Sequence, residues 1–273
     1  MPATKLQTHR VEKPWGRTRL FPGFPDVADG GKPVGEVWFQ EPGDSKPDML
    51  IKYLFTSEKL SVQVHPDDEQ AHARGLPRGK DECWTVLEAE SDSTIALGPK
   101  QPIGAEQLRA DAQDGSIEGD LDWVPIKVDD FYYCPSGTIH AIGGGLTVIE
   151  IQQNSETTYR LYDYGSDREL HLKDGVDVAH LTPYQPVPSP GEVEPGRTIK
   201  VEGPKFVLER WSAGRSVSLP EGTTGWLVPI KGTGSVAGVD WQAGECVTVT
   251  GAESIEAEEG ADLLFAYPGT RRL

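Results

Sequence analysis

Few cysteines, few basic residues and no long apolar run characterise this 273-residue sequence. Its three cysteines, Cys83, Cys134 and Cys246, are odd in number and show no CxxC spacing, which favours a reducing compartment over a disulfide framework. We expect them to be buried as small apolar side chains. No run reaches the roughly 18 apolar residues of a membrane span, and the N-terminus lacks an apolar signal core, so a cytoplasmic location is predicted.

Positive charge is also scarce. The chain has 26 Lys and Arg residues against 43 Asp and Glu residues, a formal net charge of −17. Such a surface repels phosphodiester backbones and anionic lipids, so neither a nucleic acid nor a membrane is an expected partner. A small anionic substrate is compatible with this charge only where local Arg and Lys residues overcome the overall field.

Glycine and proline are abundant, with 31 and 22 residues, and they separate short runs rich in Val, Ile, Thr and aromatic residues. Such runs between turn signals are typical of all-β sandwiches and barrels. Good helical patterns are confined to residues 67–75 and 104–115. We therefore predict an all-β fold with a few short helices.

Residues 182–198 contain five prolines and few large apolar side chains, as domain connectors do. We place a boundary there, between a catalytic unit of residues 1–181 and a second β-unit of residues 199–273. The second unit shows six short strand patterns with glycine turns. All six histidines precede the connector, so we expect the second unit to lack metal ligands and to serve in packing or as a lid.

The segment SVQVHPDD, residues 61–68, alternates polar and apolar side chains. In a strand, Ser61, Gln63 and His65 share one face, and the two valines between them occupy the other. A polar face of this kind contacts either water or a ligand. Because a lone histidine at a strand end is more often a surface or core residue than a ligand, the pattern alone leaves both interpretations open.

Glu82, in GKDECWTVLEAE, and His140, in PSGTIHAIGGG, extend the set of donors. Two imidazoles, one carboxylate and one amide oxygen suit Zn²⁺ or another borderline divalent ion, with room for water or substrate oxygens. The set contains no thiolate, which disfavours a closed structural zinc site.

These segments resemble the signatures of a known superfamily. The spacing Pro135-x-Gly137-x-x-His140 is similar to the second signature of the cupin barrel, and the stretch from Gln63 to Glu82 is similar to the first, with Gln63 in place of a histidine. Among cupins the chain resembles the type I mannose-6-phosphate isomerases in their short bacterial form. The motifs that carry this resemblance are KPWG (13–16), GEVWF (35–39), LSVQVHPDD (60–68), GKDECW (79–84), PSGTIHAIG (135–143), IEIQQNSETTYRLYDYG (149–165) and RELHL (168–172).

The resemblance implies two tandem cupin (jelly-roll) β-barrels and a zinc-dependent aldose–ketose isomerase with one Zn²⁺ per chain. The implied reaction interconverts mannose 6-phosphate and fructose 6-phosphate through a cis-enediol. The implied zinc ligands are Gln63, His65, Glu82 and His140, and the residues assigned to the substrate pocket are Lys80 and Arg160.

An enediol reaction needs a base that carries a proton between two carbons. Glu150 is our first candidate, because its position relative to Arg160 matches the family pattern and its neighbours in VIEI face the other side of a strand. A structural carboxylate that orients a zinc ligand or pairs with an arginine is an equally good interpretation. Lys80 and His65 are alternative proton carriers.

Further substrate contacts are expected from the polar strand faces. Ser61 is predicted to donate to the sugar or the phosphate, and the planar guanidinium of Arg160 suits the enediolate or the phosphate. Two features depart from the family pattern: Ser166 and Asp167 precede Arg168 where an arginine often follows the YDY turn, and the large helical insertion of the longer enzymes is missing. The phosphate contacts and the selectivity for phosphorylated over free sugars therefore stay open.

Three classes of function compete at this point. The first is the isomerase, expected as a monomer or weak homodimer with a small sugar phosphate as its partner. The second is a related metallocupin, either one that acts on free aldoses or an Fe²⁺ oxygenase with a facial His/His/carboxylate triad, against which Gln63 argues as an extra ligand. The third is a non-catalytic sugar-binding cupin, which predicts an eroded metal set, whereas all four donors are present here.

Overall fold

The computed structural model of the protein describes residues 1–21, 23–41, 43 and 47–273. Strands dominate, which confirms the all-β prediction. The strands up to residue 162 are β1 (Ala3–Lys5), β2 (Gln7–Arg17), β3 (Val34–Gln40), β4 (Met49–Thr56), β5 (Val62–Val64), β6 (Glu82–Ala89), β7 (Thr94–Pro99), β8 (Leu121–Pro125), β9 (Phe131–Cys134), β10 (His140–Ile142), β11 (Leu146–Gln153) and β12 (Tyr159–Tyr162). The later strands are β13 (Gly191–Glu194), β14 (Arg197–Glu202), β15 (Phe206–Trp211), β16 (Arg215–Ser218), β17 (Thr224–Lys231), β18 (Thr233–Val236), β19 (Val239–Gln242), β20 (Val247–Thr250), β21 (Ala252–Ala257) and β22 (Asp262–Pro268).

The strands form four antiparallel sheets. The first barrel consists of a five-stranded sheet, in the order β12-β5-β10-β7-β8, and a six-stranded sheet, in the order β2-β3-β4-β11-β6-β9. The second barrel consists of a seven-stranded sheet, in the order β1-β20-β17-β22-β15-β14-β13, and a four-stranded sheet, in the order β16-β21-β18-β19. This arrangement is the pair of jelly-roll barrels predicted from the sequence.

The two barrels share an apolar layer. The face of the six-stranded sheet that points away from the first barrel, with Ile51, Tyr53 and Ile151, packs in one buried cluster with Leu208 and Trp226 of the seven-stranded sheet. Those five side chains expose at most 1% of their surface. Burying a large apolar side chain stabilises a fold by about 1.5–3 kcal/mol, so this layer holds the two barrels together.

Four short helices lie among the described residues: α1 (Asp68–His72), α2 (Ala105–Asp114), α3 (Ile117–Asp120) and α4 (Leu172–Val178). The first two were predicted. Val62 and Val64 of β5 pack under Leu108 of α2 and Val176 of α4, which confirms that the valines of SVQVHPDD face away from the polar side chains. No helix in these described segments combines the length and apolarity needed to cross a bilayer.

Local chemistry fixes where α1 begins. The Asp67 carboxylate accepts from the backbone N–H of Gln70 at 2.7 Å, and the Gln70 side chain accepts from the Asp67 N–H at 3.0 Å. This reciprocal pair is a capping box, which satisfies two otherwise free donors. It fixes the start of α1 shortly after β5 ends at Val64, so His65 lies between the strand and the helix.

The second unit holds more strands than the six predicted. Its sequence patterns GWLVPIKGTGSVAG and VDWQAGECVTVTG each contain two strands, because a glycine turn within each run reverses the chain. The strand β13 lies inside the span predicted as a connector and pairs with β14. The strand β1 pairs with β20 of the second barrel. The division into units 1–181 and 199–273 stays a prediction.

Candidate metal centre

The polar faces of neighbouring strands meet at one end of the first barrel. His140 of β10 lies directly opposite Gln63 of β5, and Arg160 of β12 lies opposite Gln63 on the other side. Directly opposed residues of antiparallel strands project from the same face of a sheet. Three of the predicted functional residues therefore form a row across the five-stranded sheet.

Glu82 faces this row from the other sheet, where it begins β6. Its Oε1 lies 3.1 Å from His140 Nε2, and its Oε2 lies 3.5 Å from His65 Nε2. The candidate ligand atoms of these three residues all lie within 4.8 Å of one another, and the three side chains are buried. Both imidazoles and the carboxylate of the predicted ligand set are thus brought together.

Backbone carbonyls orient both imidazoles. His65 Nδ1 lies 2.9 Å from the carbonyl oxygen of Thr157, and His140 Nδ1 lies 2.9 Å from that of Thr138. A carbonyl can only accept, so each Nδ1 carries the proton and each Nε2 presents a lone pair. Both lone pairs face Glu82, which is the arrangement that metal-binding histidines require.

Lys80 supplies the positive charge at this cluster. Its Nζ lies 2.5 Å from Glu82 Oε2 and 3.1 Å from His65 Nε2. Burial, with the nearby ammonium second, lowers the pKa of His65 to about 3. Burial opposes the charged forms of Lys80 and Glu82, but their mutual attraction outweighs it, raising the pKa of Lys80 and holding that of Glu82 well below its ordinary value. The cluster therefore contains a neutral imidazole beside a buried ion pair.

Gln63 is adjacent to the cluster, with its amide nitrogen toward His140. Its Nε2 lies 3.2 Å from His140 Nε2, and its Oε1 accepts from the hydroxyl of Ser61 at 3.4 Å. Rotation about the last side-chain bond exchanges the two ends of the amide, so the same backbone position can present an oxygen to a cation. The structure places Ser61 beside Gln63 as predicted.

The donor set fits a divalent cation. Two imidazole lone pairs and two carboxylate oxygens are all acceptors, and Glu82 Oε1 finds no hydrogen-bond donor within the described chain. Protein donors reach the other three acceptors: Lys80 lies at His65 Nε2 and Glu82 Oε2, and the Gln63 amide lies at His140 Nε2. A buried carboxylate oxygen left without a donor is costly unless a cation satisfies it. Nitrogen and oxygen ligands in this number suit Zn²⁺ with open positions for further ligands.

Glu150 lies farther along the inner face of the six-stranded sheet. Its Oε1 accepts from Lys52 Nζ at 3.2 Å, and its Oε2 accepts from the indole Nε1 of Trp84 at 3.0 Å. Lys52 also lies 3.7 Å from Glu36. These contacts anchor the Glu150 carboxylate in a buried charge network, a placement that both interpretations of this residue allow.

The Arg160 side chain lies at the edge of the row. Its Nη1 donates to the carbonyl oxygen of Glu169 at 2.8 Å, and its Nε lies 3.9 Å from Asp163. Arg168, where the sequence departs from the family pattern, forms a two-point ion pair with Asp163 at 2.5 and 2.6 Å. Arg160 shares a strand face with Gln63, whereas its guanidinium contacts this loop and not the His65–Glu82–His140 cluster.

A surface cavity adjoins the site on the side of β3. Its lining includes Trp38, Leu50, Arg78 and Thr157. Thr157 is the residue whose carbonyl orients His65. The ring of Trp38 lies 4.8 Å from Lys52 Nζ. The cavity is therefore lined by one residue that contacts His65 and by one that contacts Lys52, whereas the cluster residues themselves are not in its lining.

Sequence reasoning missed Lys52, Trp84 and the two carbonyls of Thr138 and Thr157. Lys52 had a signal, since it is a single charge within the apolar strand MLIKYLF, as Glu150 is within LTVIEIQQ. A charge in an otherwise buried strand needs a partner. Which partner it has depends on strand register, and Lys52 lies directly opposite Glu150.

Comparison with known proteins identifies related chains. None of the family models searched matches the sequence. It is 34% identical over 236 residues to a Bacillus subtilis protein named "Probable mannose-6-phosphate isomerase GmuF", covering 79% of this chain and 74% of that one. Its fold is similar to a crystal structure of the mannose 6-phosphate isomerase from Bacillus subtilis, with a TM-score of 0.80 and 26% identity over 97% of this chain and 99% of that one. A zinc-bound mannose 6-phosphate isomerase structure shares the fold, with a TM-score of 0.69 and 13% identity over 98% of this chain and 100% of that one.

Proposed function

Because the chain belongs to the mannose-6-phosphate isomerase family, we propose that it is a zinc-dependent aldose–ketose isomerase that interconverts mannose 6-phosphate and fructose 6-phosphate. The observation that carries this proposal is the convergence of His65, Glu82 and His140 on one buried point beside Lys80. Sugar binding without catalysis does not require a buried ammonium in contact with a carboxylate ligand of the metal.

We assign one Zn²⁺ per chain to Gln63, His65, Glu82 and His140. A bound zinc ion supplies Lewis-acid stabilisation of charge on the sugar oxygens. The carbonyls of Thr138 and Thr157 keep the two Nε2 lone pairs directed at the site, and Glu82 supplies the one negative charge of the set. Ser61 keeps the Gln63 amide at the rim of the cluster.

Isomerisation requires a proton to leave one carbon of the sugar and return to its neighbour. We assign this transfer to Glu150, whose carboxylate is held by Lys52 and Trp84 and so does not have to be ordered during the reaction. Lys80 is the alternative carrier and lies beside the metal ligands. When Glu150 carries the proton, the Lys80 ammonium is placed to donate to a substrate oxygen.

Substrate binding is assigned to Ser61, Lys80 and Arg160. Lys80 and Arg160 bring positive charge to a protein whose net charge is −17, as an anionic sugar requires.

Two competing functions are less well supported: an Fe²⁺ oxygenase does not need the Lys80 ammonium at its carboxylate ligand, and an enzyme for free aldoses does not need both cations. We further propose that the protein works in the cytoplasm as a monomer or weak homodimer.

A coupled assay tests the proposal directly. The zinc-loaded protein is given mannose 6-phosphate or free mannose, and formation of the ketose is followed. We expect turnover of the phosphorylated sugar, loss of that turnover on chelation and its return with added zinc. Activity on free mannose alone would establish the free-aldose alternative, and a zinc-replete protein inactive on both sugars would exclude the isomerase.

A further inference from the structure

His171 binds both backbone polar groups of Arg160. The N–H of Arg160 donates to His171 Nδ1 at 3.2 Å, and the N–H of His171 donates to the Arg160 carbonyl oxygen at 2.7 Å. Because Nδ1 accepts, the ring proton is on Nε2. His171 thus takes the place of a neighbouring strand at Arg160. Its side chain accepts from the Arg160 N–H, and its backbone N–H donates to the Arg160 carbonyl oxygen.

The position of Arg160 explains why such a partner is needed. The strand β12 is the edge of the five-stranded sheet and pairs only with β5 within that sheet. The N–H and C=O of one strand residue point to the same side, and in Arg160 both point away from β5 toward His171. Without a partner, the backbone that carries the guanidinium would be an open edge.

The same loop also holds the Arg160 side chain and begins a helix. The carbonyl oxygen of Glu169 accepts from Arg160 Nη1 at 2.8 Å. The carbonyl oxygen of His171 accepts from the N–H of Gly175 at 2.8 Å, so His171 is the N-cap residue of α4. Helix α4 packs through Val176 on the apolar face of the sheet. Arg160 is therefore fixed between β5 and a packed helix.

We infer that His171 is a positioning residue for the isomerase reaction: its Nδ1 fixes the backbone of Arg160 and thereby the place of the guanidinium at the substrate. This inference rests on the proposed function and on the assignment of Arg160 to the substrate pocket. His171 itself touches no predicted metal ligand among its hydrogen-bond partners in the described chain.

Two variants of His171 separate the loss of its hydrogen bond to the Arg160 N–H from the loss of the imidazole ring. His171→Ala removes the acceptor, whereas His171→Asn keeps an oxygen at a similar distance from the backbone. We expect His171→Ala to lower kcat/KM about 10- to 100-fold, the usual cost of a displaced substrate contact, with zinc content unchanged. His171→Asn should recover most of that loss. The matched control is His72→Ala, which removes a histidine hydrogen bond to Pro77 far from Arg160 in the sequence.

A double-mutant cycle shows whether His171 acts through Arg160. In an Arg160→Ala background, adding His171→Ala should change kcat/KM little, because the group that His171 places is gone. An equal loss in both backgrounds would overturn the inference, as would full activity of His171→Ala.

Amide hydrogen exchange provides a readout that does not depend on turnover. The Arg160 N–H of the full-length protein should exchange faster in His171→Ala than in the wild type, and should be protected again in His171→Asn. An unchanged exchange rate in His171→Ala would overturn the inference. If the wild-type protein had no isomerase activity but Arg160 exchange responded in this way, the proposed function would be wrong and the contact itself would stand.

Discussion

Lys80 and Glu82 form a buried ion pair in which Nζ and Oε2 lie 2.5 Å apart. Lys80 lies two residues before Glu82, which begins β6. A carboxylate buried this completely needs a cation. The Lys80 ammonium provides it, next to the point where the two imidazole lone pairs converge.

Lys80→Met tests the separation of metal binding from catalysis. Because Lys80 is not a ligand, we expect about one zinc per chain to be retained while isomerase activity is lost. When Lys80→Met is stripped of metal, Glu82 has no countercharge. The free energy of unfolding of this variant should therefore fall by about 3–5 kcal/mol relative to the metal-stripped wild type. Elemental analysis and urea unfolding measure the two effects. Lys59→Met, which removes an exposed ion pair with Glu118, is the control. Loss of zinc from Lys80→Met would contradict the assignment.

Glu82→Gln tests the ligand set. The amide keeps the shape of the side chain but removes the only negative charge among the proposed ligands and leaves the Lys80 ammonium to repel a cation. We expect zinc content to fall from about one per chain to a small fraction after dialysis, together with activity. Glu90→Gln, an exposed change in the loop after β6, should leave both unchanged. A zinc-loaded, active Glu82→Gln protein would remove this residue from the site.

Glu150→Gln distinguishes the two interpretations of Glu150. If Glu150 is the base, turnover requires its carboxylate, so kcat of Glu150→Gln should fall by about 10²- to 10⁴-fold while zinc stays bound. Steady-state kinetics with elemental analysis of the same sample measures both. A variant with normal kcat would show that Glu150 serves only to satisfy Lys52 and Trp84. Lys52→Met is the companion variant, because it removes the ion pair but leaves the carboxylate.

Alternation and motif spacing were enough to predict part of the site. The alternation in SVQVHPDD correctly separated Val62 and Val64 from Gln63 and His65, because the side-chain period of a strand is a local property. The turn signals located α1 and α2. Helix α4 was not predicted: its sequence includes Gly175, and its N-cap residue His171 makes no side-chain capping bond.

The contacts that could not be predicted are those set by register between distant strands. The pairs formed by Glu150 with Lys52 and with Trp84 depend on how β11 aligns with β4 and β6. The orientation of His65 depends on a carbonyl at Thr157, which leaves no trace in side-chain identity. A single sequence specifies which faces are polar but not which residues meet across the barrel.

Acid stability should depend on Glu209 of the second barrel. Its carboxylate accepts from Arg197 at 2.6 and 2.8 Å, from Tyr267 at 2.7 Å and from Trp211 at 2.8 Å. Burial would raise the pKa of Glu209, but these donors, Arg197 first, outweigh burial and lower it. The unfolded chain therefore takes up this proton at higher pH than the folded protein, and stability is lost as the pH falls below about 4.5.

The measurement is the urea midpoint at a series of pH values from 7 to 3. Glu209→Gln should be less stable at pH 7 by about 1–3 kcal/mol, because Arg197 loses its buried charged partner and keeps only the more exposed carboxylate of Glu194. Its midpoint should then decline less steeply with acid than that of the wild type. Glu259→Gln, an exposed change, should follow the wild-type curve. Parallel curves for Glu209→Gln and wild type would contradict the prediction.

The apolar layer between the barrels predicts how the protein unfolds. Ile151→Ala removes a fully buried side chain from that layer and should cost about 2–5 kcal/mol. Because both barrels contribute to the layer, we expect a single calorimetric transition that shifts as a whole. The control is Val128→Ala at a half-exposed position. Two transitions, of which only one moves, would show that the units predicted at 1–181 and 199–273 unfold independently.

The pairing of β1 with β20 also sets an order of events during synthesis. Ala3 lies opposite Val249, so β1 has no partner until almost all of the described residues that follow it have been synthesised. Closing so long a loop carries an entropic cost that no local contact offsets early on. Until β1 docks, the edge of β20 is open and can pair with another nascent chain. Crowded synthesis is therefore the condition in which this fold is most exposed to aggregation.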